Sequence, residues 1–331
     1  FKKMRMWGVQ GIDSTYMVAK VTKYANRIYN PKNIIYELEK GFDIALKDRP
    51  GPVWIDIPID IQGALVSEKN LKIYKPKFYT KKNSTKKKDL SKLSKLITSS
   101  KRPVFWFGNG IKLSKSEHFL TSVLKKYPFP FFLSWAAIDM IDTNHKLNFG
   151  RPGVYGNRAS NLILQNSDLI ISIGTRMSIP MIGYSHKEFA RKAKIIHVDI
   201  DNTELLKLKN KTSLSLGMDA GTFLNILLNK KVQKLKDKHL SAWIVYCKSI
   251  LKKFPHIEKI AHKDKKNYIN SYKFIDKLSA YYRKNECIVT DSGTALLSGH
   301  QVTKLKKNQK MMTSTGLAEM GCGLPGAIGA S

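Results

Sequence analysis

Two glycine-containing segments near the end of the chain have residue types that suit anion binding. Gly293-Thr294-Ala295 comes just after residues 287–291, an apolar and β-branched run that predicts a strand. Backbone N–H groups at such a turn can bind a diphosphate, and the Thr294 hydroxyl can donate one further hydrogen bond. The second segment, residues 314–331, is rich in glycine, which lets a ligand approach the backbone closely. The turn at Gly293 is therefore a candidate for anion binding, and the second segment is a candidate for close contact between backbone and ligand.

A second group of glycines and polar residues follows apolar runs in the middle of the chain. Gly108-Asn109-Gly110 follows residues 103–107, and Gly174 ends the run 168–174. Asp199 stands near the end of the run 195–200. Strands that alternate with helical patterns predict a parallel, doubly wound sheet, and such sheets bind ligands beyond the carboxyl ends of their strands. These residues are therefore expected at a ligand-facing edge, although a lone Gly-x-Gly is more often a tight turn than a nucleotide site.

The order of the helices and strands that would position these residues predicts an α/β protein. It would have three doubly wound parallel-sheet domains, of which the first and third are truncated. Helical spacing over residues 31–46 is broken by Arg49-Pro50-Gly51-Pro52, and residues 53–58 predict a buried strand. Another helix and strand begin near Tyr272. The predicted divisions are a first domain over 1–66, a Lys-rich linker over 67–90, a central domain over 91–229, a helical linker over 230–268 and a third domain over 269–331.

Composition narrows the classes of function. The formal charge is +33, but only nine of the 58 basic residues are Arg and 49 are Lys. Arg is the usual residue for reading bases and clamping phosphates, so the charge indicates a Lys-rich solvated surface rather than nucleic-acid binding. The three cysteines have no metal-ligand spacing and suit reduced thiols in the cytoplasm. No apolar run approaches a membrane span.

Three stretches, in order, resemble thiamine-diphosphate-dependent carboligases of the acetolactate-synthase type. The first is the Arg-Pro-Gly-Pro segment that runs from Arg49 to Asp60. The second combines Gly153-Val154-Tyr155-Gly156 with residues 168–176 and 197–201, and the third combines residues 290–293 with 314–325. The resemblance implies thiamine diphosphate held with Mg²⁺, a 2-keto acid substrate such as pyruvate, and a homodimer or homotetramer. It also implies a small regulatory subunit as a partner.

The resemblance carries over to individual cofactor-binding residues. Gln10, thirteen residues before Lys23, is similar to a glutamine near the cofactor and the acceptor. Ala318 and Met320 match positions whose backbone meets the aminopyrimidine ring, with Met320 as the support for its bent form. A lone Met more often belongs to a hydrophobic core. At Met320, however, the flanking Gly316 allows the backbone to approach a ligand closely, which favours a cofactor-binding site. At the diphosphate side, next to Gly293, Thr294 and Ala295 stand where acetolactate synthases carry Gln-His. This departure removes two diphosphate donors and leaves the precise activity open.

The resemblance also implies contacts to FAD as an additional cofactor in the central domain. The family's second FAD-binding Arg is absent, because Met177-Ser178-Ile179-Pro180 replaces its motif. His197, on an apolar strand, is expected to be a core histidine. The matching positions are Gly108, Gly110, Tyr155, Gly156, Gly174, Arg176, Asp199 and Asp219.

Two elements that the family needs are not found in these 331 residues. The glutamate that starts cofactor activation would lie before Phe1, and the Gly-Asp-Gly-Ser…Asn motif that binds Mg²⁺ would follow Ser331. The chain therefore reads as an internal piece with no metal ligands of its own, and we expect the piece alone to be inactive.

Two other functions stay open at this stage. The first is a different thiamine enzyme, either a 2-keto-acid decarboxylase or a carboligase that acts on a keto-sugar. The second, from another class, is a nucleotide-binding module without catalysis, although it leaves the first and third resembling stretches unexplained.

Overall fold

The computed structural model describes residues 8–9, 11–76, 87–229 and 237–331. The chain divides into two compact units, Phe1–Asn83 and Ser84–Ser331. All strand pairs between named strands of the described residues are parallel, and helices connect the strands. The predicted α/β class is therefore confirmed. In this part of the chain, no helix combines the length and apolar character needed to cross a membrane.

The first unit is built on two parallel strands and the helix that connects them. Gly41 of that helix lies against Val53 and Ile55, where a Cβ would be 3.5 Å or more from the nearest side-chain atom. The predicted linker from residue 67 packs on the same helix, because the Tyr74 hydroxyl donates to Asp43 at 2.9 Å. The elements are α1 (Ser14–Val18), β1 (Tyr24–Arg27), α2 (Ile34–Leu46), β2 (Val53–Asp56) and α3 (Ile59–Gln62).

The second unit contains a five-stranded parallel sheet in the order β4-β3-β5-β6-β7. The direction of winding reverses between β3 and β5, which is where open α/β sheets bind ligands. The strands are β3 (Pro103–Phe107), β4 (Phe131–Leu133), β5 (Leu169–Ile173), β6 (Lys194–Asp199) and β7 (Leu214–Gly217). Their helices are α4 (Lys87–Ser99), α5 (Gly110–Leu113), α6 (Phe119–Lys126), α7 (Arg158–Asn166), α8 (Ile179–Ile182), α9 (Asn202–Lys207) and α10 (Ala220–Asn229).

The core of this unit lies on both faces of the sheet. Every residue of β3 and β5 is buried, as expected of strands that helices cover on both sides. Trp106 and Phe105 are fully buried in neighbouring positions of β3, on opposite faces. His197 is also fully buried, and its Nε2 lies 3.0 Å from the Thr175 carbonyl oxygen. Its Nδ1 has no hydrogen-bond partner among the described residues, so this core histidine is only half satisfied.

The third predicted domain packs within the same compact unit as the central sheet. Two parallel strands pair Cys287 with Lys310 and Thr290 with Thr313. Arg151 lies in the segment between β4 and α7, in the part of the chain that contains the five-stranded sheet (the central part). Its guanidinium donates to the carbonyl oxygens of His300 and Thr303 at 2.5 and 2.8 Å. The elements are α11 (Asp237–Lys253), α12 (Ser271–Leu278), β8 (Cys287–Thr290), α13 (Thr294–Val302), β9 (Lys310–Thr313) and α14 (Gly323–Ala330).

Two connecting segments differ from the sequence prediction. The predicted helical linker over 230–268 is a helix only over Asp237–Lys253, and turns follow it; residues 230–236 lie outside the described part. Phe254 follows that helix, and the Arg158 guanidinium lies over its ring, 4.3 Å from the ring centroid. The predicted linker over 67–90 overlaps the start of α4 at Lys87. The domain boundaries themselves stay a prediction.

Candidate functional site

The turn after β8 presents backbone donors at the start of a helix. Gly293 precedes α13 with φ 72°, a conformation that glycine adopts readily. No side chain caps this helix end, and Gly293, Thr294 and Ala295 are all exposed. The first N–H groups of a helix have no partner within the helix, so they can donate to an anion. The diphosphate-side residues thus lie where a phosphate could reach them.

The second glycine-containing segment forms an exposed loop between β9 and α14. Ala318 has φ 55° and Gly321 has φ 85°, so the backbone turns sharply on both sides of Met320. The Met320 side chain is 89% exposed, which rules out a core role within this chain. A Cβ at Gly316 would meet no described atom within 4 Å. The loop leaves its backbone and the Met320 side chain open to a ligand.

One carboxylate connects the turn and the loop. Asp291 Oδ1 accepts from the Ser292 N–H at 2.7 Å, just before Gly293. The same carboxylate accepts from the Gly321 N–H at 3.0–3.1 Å and from the Gly323 N–H at 3.0 Å. Donation by the Ser292 and Gly323 N–H groups lowers the pKa of Asp291 below its ordinary value. Residues 29 or more positions apart in sequence are thereby held together at one sheet edge.

An open cleft of about 350 Å³ lies beside this edge, between β8, β9 and α14. Thr290 and Thr313 line it and are paired in register across the two strands. Both hydroxyl oxygens are buried without a partner among the described residues. Ala136 of the central part and Cys322 form further walls. The cleft provides both apolar surface and unused hydroxyl groups.

At the carboxyl edge of the central sheet, Gly108 and Gly110 pack against Gly174 and do not face open space. A Cβ on Gly108 would lie 2.2 Å from the Gly174 carbonyl oxygen, and one on Gly110 would lie 2.7 Å from the Gly174 Cα. Gly174 itself has φ 62°. The Gly110 N–H donates to the Gly174 carbonyl oxygen at 3.0 Å. Close packing of β3 against β5 is therefore sufficient to account for this Gly-x-Gly.

The charged residues of the same edge have structural partners. Arg176 Nε donates to Glu204 of α9 at 2.8 Å, and the Arg176 side chain remains 57% exposed. Asp199 accepts from the Asp201 N–H at 2.9 Å. Asp219 accepts from the Thr222 N–H at 3.0 Å and so caps the start of α10. Arg176 and Asp219 lie just beyond the carboxyl ends of β5 and β7, and Asp199 is the last residue of β6, so all three are at one edge of the sheet.

Tyr155 and Gly156 belong to the loop that leads into α7. A Cβ on Gly156 would lie 2.4 Å from the Arg151 carbonyl oxygen, so glycine is needed for the loop to close on itself. The Tyr155 side chain is about half exposed, and its ring centroid lies 6.0 Å from that of Trp135. Gln10 lies outside the described residues.

The cofactors implied by the sequence differ in how well these residues fit them. Thiamine diphosphate fits the N–H donors at Gly293–Ala295 and the open loop around Met320. For Mg²⁺, the described residues include no group of three or more His, Cys, Asp or Glu that could hold a metal. For FAD, the half-exposed Arg176 guanidinium at the switch point of the sheet is the best-suited group, whereas Asp219 is already used as a cap.

Sequence reasoning missed the residues that connect the parts of this region. Asp291 was noted as the end of a strand and as part of the third resembling stretch but was given no role, because its role depends on loops that are distant in sequence. Asp139 was also missed: its buried carboxylate accepts from Lys112 Nζ at 2.8 and 3.0 Å and from the Met311 N–H at 3.3 Å. The available signal was a single acidic residue within the otherwise apolar run of residues 135–141.

Comparison with known proteins gives one family model and several relatives. Residues 90–227 match the model described as thiamine pyrophosphate enzyme, central domain. The chain is 29% identical over 323 residues to acetolactate synthase isozyme 1 large subunit of Escherichia coli (strain K12), covering 97% of this chain and 55% of that protein. It is 32% identical over 335 residues to the probable acetolactate synthase large subunit of Methanococcus aeolicus, with the same coverages.

The acetolactate synthase large subunit of Lactococcus lactis subsp. lactis (strain IL1403) is 28% identical over 321 residues, covering 97% of this chain and 54% of that protein. The chain therefore spans about half the length of the curated relatives it matches. The family model covers the five-stranded sheet, and the relatives extend the similarity to 97% of the chain. Residues 90–227 thus belong to the family of thiamine pyrophosphate enzyme central domains, and the chain is similar over 97% of its length to large subunits of acetolactate synthase.

Proposed function

We propose that this chain forms part of a thiamine-diphosphate-dependent carboligase of the acetolactate-synthase type. In this reaction pyruvate is decarboxylated and its two-carbon unit is transferred to a second carbonyl compound. The observation that carries the proposal is the pairing of the Gly293 turn with the Met320 loop through Asp291. The relatives are acetolactate synthase large subunits along the same stretch of sequence, which supports the same reaction.

Each side of the paired region has a separate task in this proposal. The N–H groups at Gly293, Thr294 and Ala295 bind the diphosphate, and the Thr294 hydroxyl adds a donor. The backbone at Gly316 and Ala318 contacts the aminopyrimidine ring, and the exposed Met320 side chain supports the ring system from one side. Thiamine diphosphate, when bound, supplies the electron sink that cleavage and formation of the carbon–carbon bonds require. The protein supplies position and a site with little water.

The proposal also covers the other cofactors, the acceptor side and the assembly. Mg²⁺ would accompany the diphosphate, with ligands from outside the described residues. FAD is proposed at the carboxyl edge of the central sheet, where Arg176 is half exposed at the switch point. Gln10 is proposed on the acceptor side. A homodimer or homotetramer, a small regulatory subunit and a cytoplasmic location are proposed by similarity to proteins named as large subunits.

The test is to express the protein from its complete gene and to incubate it with pyruvate, thiamine diphosphate and Mg²⁺. We expect acetolactate, and we expect Met320→Ala to lower kcat by about tenfold because the cofactor loses its support. Leu324→Ala is the control, since Leu324 is similarly exposed on the neighbouring α14. Acetolactate formation is followed colorimetrically, and flavin absorbance of the purified protein tests for FAD.

Other results would favour other functions. Release of CO₂ from a 2-keto acid without acetolactate would favour a decarboxylase or a carboligase with a keto-sugar. Bound flavin without any affinity for thiamine diphosphate would favour a nucleotide-binding module and would contradict the proposal.

A further inference from the structure

The carboxylate of Asp291 is the direct connection between the two sides of the proposed cofactor site. It stands one residue after β8 and accepts from three backbone N–H groups, those of Ser292, Gly321 and Gly323. The Ser292 N–H belongs to the diphosphate-side turn, which leads into Gly293, Thr294 and Ala295. The Gly321 and Gly323 N–H groups belong to the pyrimidine-side loop, which connects β9 to the start of α14. We propose that Asp291 is a positioning residue that fixes the spacing of these two segments, so that a single thiamine diphosphate molecule can contact both. This inference rests on the proposed function.

The pyrimidine-side loop needs such an anchor because little else of the chain packs on it. A Cβ at Gly316 or Gly321 would meet no described atom within 4 Å, and the Leu317 and Met320 side chains are more than four-fifths exposed. At Gly323 the contact is close: a Cβ there would lie 3.0 Å from the Asp291 Cβ and 3.1 Å from Oδ2. Glycine at this position allows the start of α14 to approach the carboxylate. The loop is therefore tied down where Asp291 reaches it.

A carboxylate suits this role better than its neutral isostere. Both oxygens of Asp291 are used, and all of the partners are donors. One of these donors, the Gly323 N–H, is the first of α14, and Gly321 lies two residues before it, where the helix dipole favours negative charge. In Asp291→Asn one oxygen becomes an NH₂ group that faces N–H donors, so at least one of the connections must break. The shape of the side chain is nearly unchanged, which makes the substitution specific.

The consequence concerns how the two ends of one ligand cooperate. A ligand that contacts two segments gains affinity only if their spacing matches its length. Loss of the connection should reduce the binding of the whole cofactor, which needs both segments. It should leave the binding of inorganic diphosphate nearly unchanged, because that anion contacts the Gly293 turn alone. A substitution that merely damages the fold would weaken both ligands together.

The experiment measures both ligands on the protein expressed from its complete gene. Thiamine diphosphate and inorganic diphosphate, each with Mg²⁺, are titrated calorimetrically into the wild type and into Asp291→Asn. We expect the Kd for thiamine diphosphate to rise by about 10- to 100-fold, as the loss of one or two charge-assisted hydrogen bonds implies. The Kd for inorganic diphosphate should change by less than about twofold. Asp264→Asn is the matched control, because Asp264 is exposed in the same part of the chain and is paired with Lys273.

The outcomes separate the inference from the proposed function. If the wild type does not bind thiamine diphosphate, the proposed function fails. If the wild type binds it and Asp291→Asn weakens both ligands equally, or neither, the positioning role of Asp291 is wrong. Should Asp291→Asn fail to fold, as judged by circular dichroism, Gly323→Ala serves instead, since its new Cβ would push the carboxylate away. The same selective loss of thiamine diphosphate affinity is expected there.

Discussion

At the scale of single residues, the glycines of this protein serve two different purposes. Gly293 and Gly321 have positive φ angles in exposed turns, with no described atom within 4 Å of a Cβ at either position. Gly108, Gly110 and Gly174 instead allow two strand ends to touch. Sequence alone presents both groups as glycine-containing turns after strands. The packing around each position distinguishes a turn that is open to a ligand from one whose space is occupied by other residues of the protein.

Gly108→Ala tests the packing role of the central glycines. The new Cβ would lie 2.2 Å from the Gly174 carbonyl oxygen, and backbone cannot move aside as a flexible side chain can. We expect the free energy of unfolding to fall by about 2–3 kcal/mol, as for other overpacked sites. Gly329→Ala on α14 is the control, with no described atom within 4 Å and an expected change of less than about 1 kcal/mol. Urea titration measures both; equal stability of Gly108→Ala and the wild type would contradict the contact.

At the scale of elements, a buried cation joins the central part to α13. The Arg151 side chain is almost fully buried, and its pKa is lowered to about 10 because burial disfavours the charge. It donates to two carbonyl oxygens at the end of α13, where the helix leaves its last carbonyl groups without partners. Asn157 adds a further bond to the Gln301 carbonyl oxygen at 2.9 Å. The helix that begins at the proposed diphosphate turn is thus held at its other end by the central part.

Arg151→Met removes this connection while keeping an unbranched side chain. Two buried carbonyl oxygens lose their donors, so we expect a loss of about 2–4 kcal/mol in the free energy of unfolding. The fluorescence of Trp135, whose ring centroid lies 5.2 Å from that of His300, makes the urea-induced transition visible. Arg191→Ala is the control, because Arg191 and its partner Glu188 are both exposed, and exposed pairs contribute little. A loss at Arg151 no larger than that at Arg191 would show that the connection is dispensable.

At the scale of the whole molecule, buried neutral histidines link stability to pH. Burial lowers the pKa of His256 and of His300 to about 4, from an ordinary value of 6.5. Burial also lowers the pKa of His197. In the unfolded chain these histidines take up a proton near pH 6.5, whereas in the folded chain His256 and His300 resist it until about pH 4. Acidification therefore favours the unfolded state in a chain that already carries a formal charge of +33.

We expect stability to fall as the pH drops from 6.5 towards about 4, the window set by His256 and His300. Each group contributes at most about 1.4 kcal/mol per pH unit. Thermal midpoints measured across this range should fall less steeply in His300→Leu than in the wild type. His239→Leu, on the exposed surface of α11, should leave the slope as it is. An unchanged slope in His300→Leu would mean that His300 is not held neutral by the fold.

The prediction of strands from the sequence succeeded where the local patterns were strong. The strands β3, β5, β6 and β8 lie in apolar, β-branched runs bounded by glycine, proline or charge, and each was predicted within two residues. The strands β1, β7 and β9 were missed; they are short and partly polar, and they pair with a stronger neighbouring strand. Their strand conformation comes from that pairing rather than from their own residues. The family resemblance was confirmed because it rests on motifs in order along the chain.

The sequence by itself thus determined the α/β class, the family and the two segments proposed to bind thiamine diphosphate. Only the tertiary structure decided which residues bring these segments together and which glycines pack against other residues of the same chain. The physical reason is that Asp291 lies about 30 positions from Gly321, and that Gly108 lies further still from Gly174. Residue types and spacing report local propensity, whereas these contacts depend on how parallel strands place distant turns at one edge of a sheet.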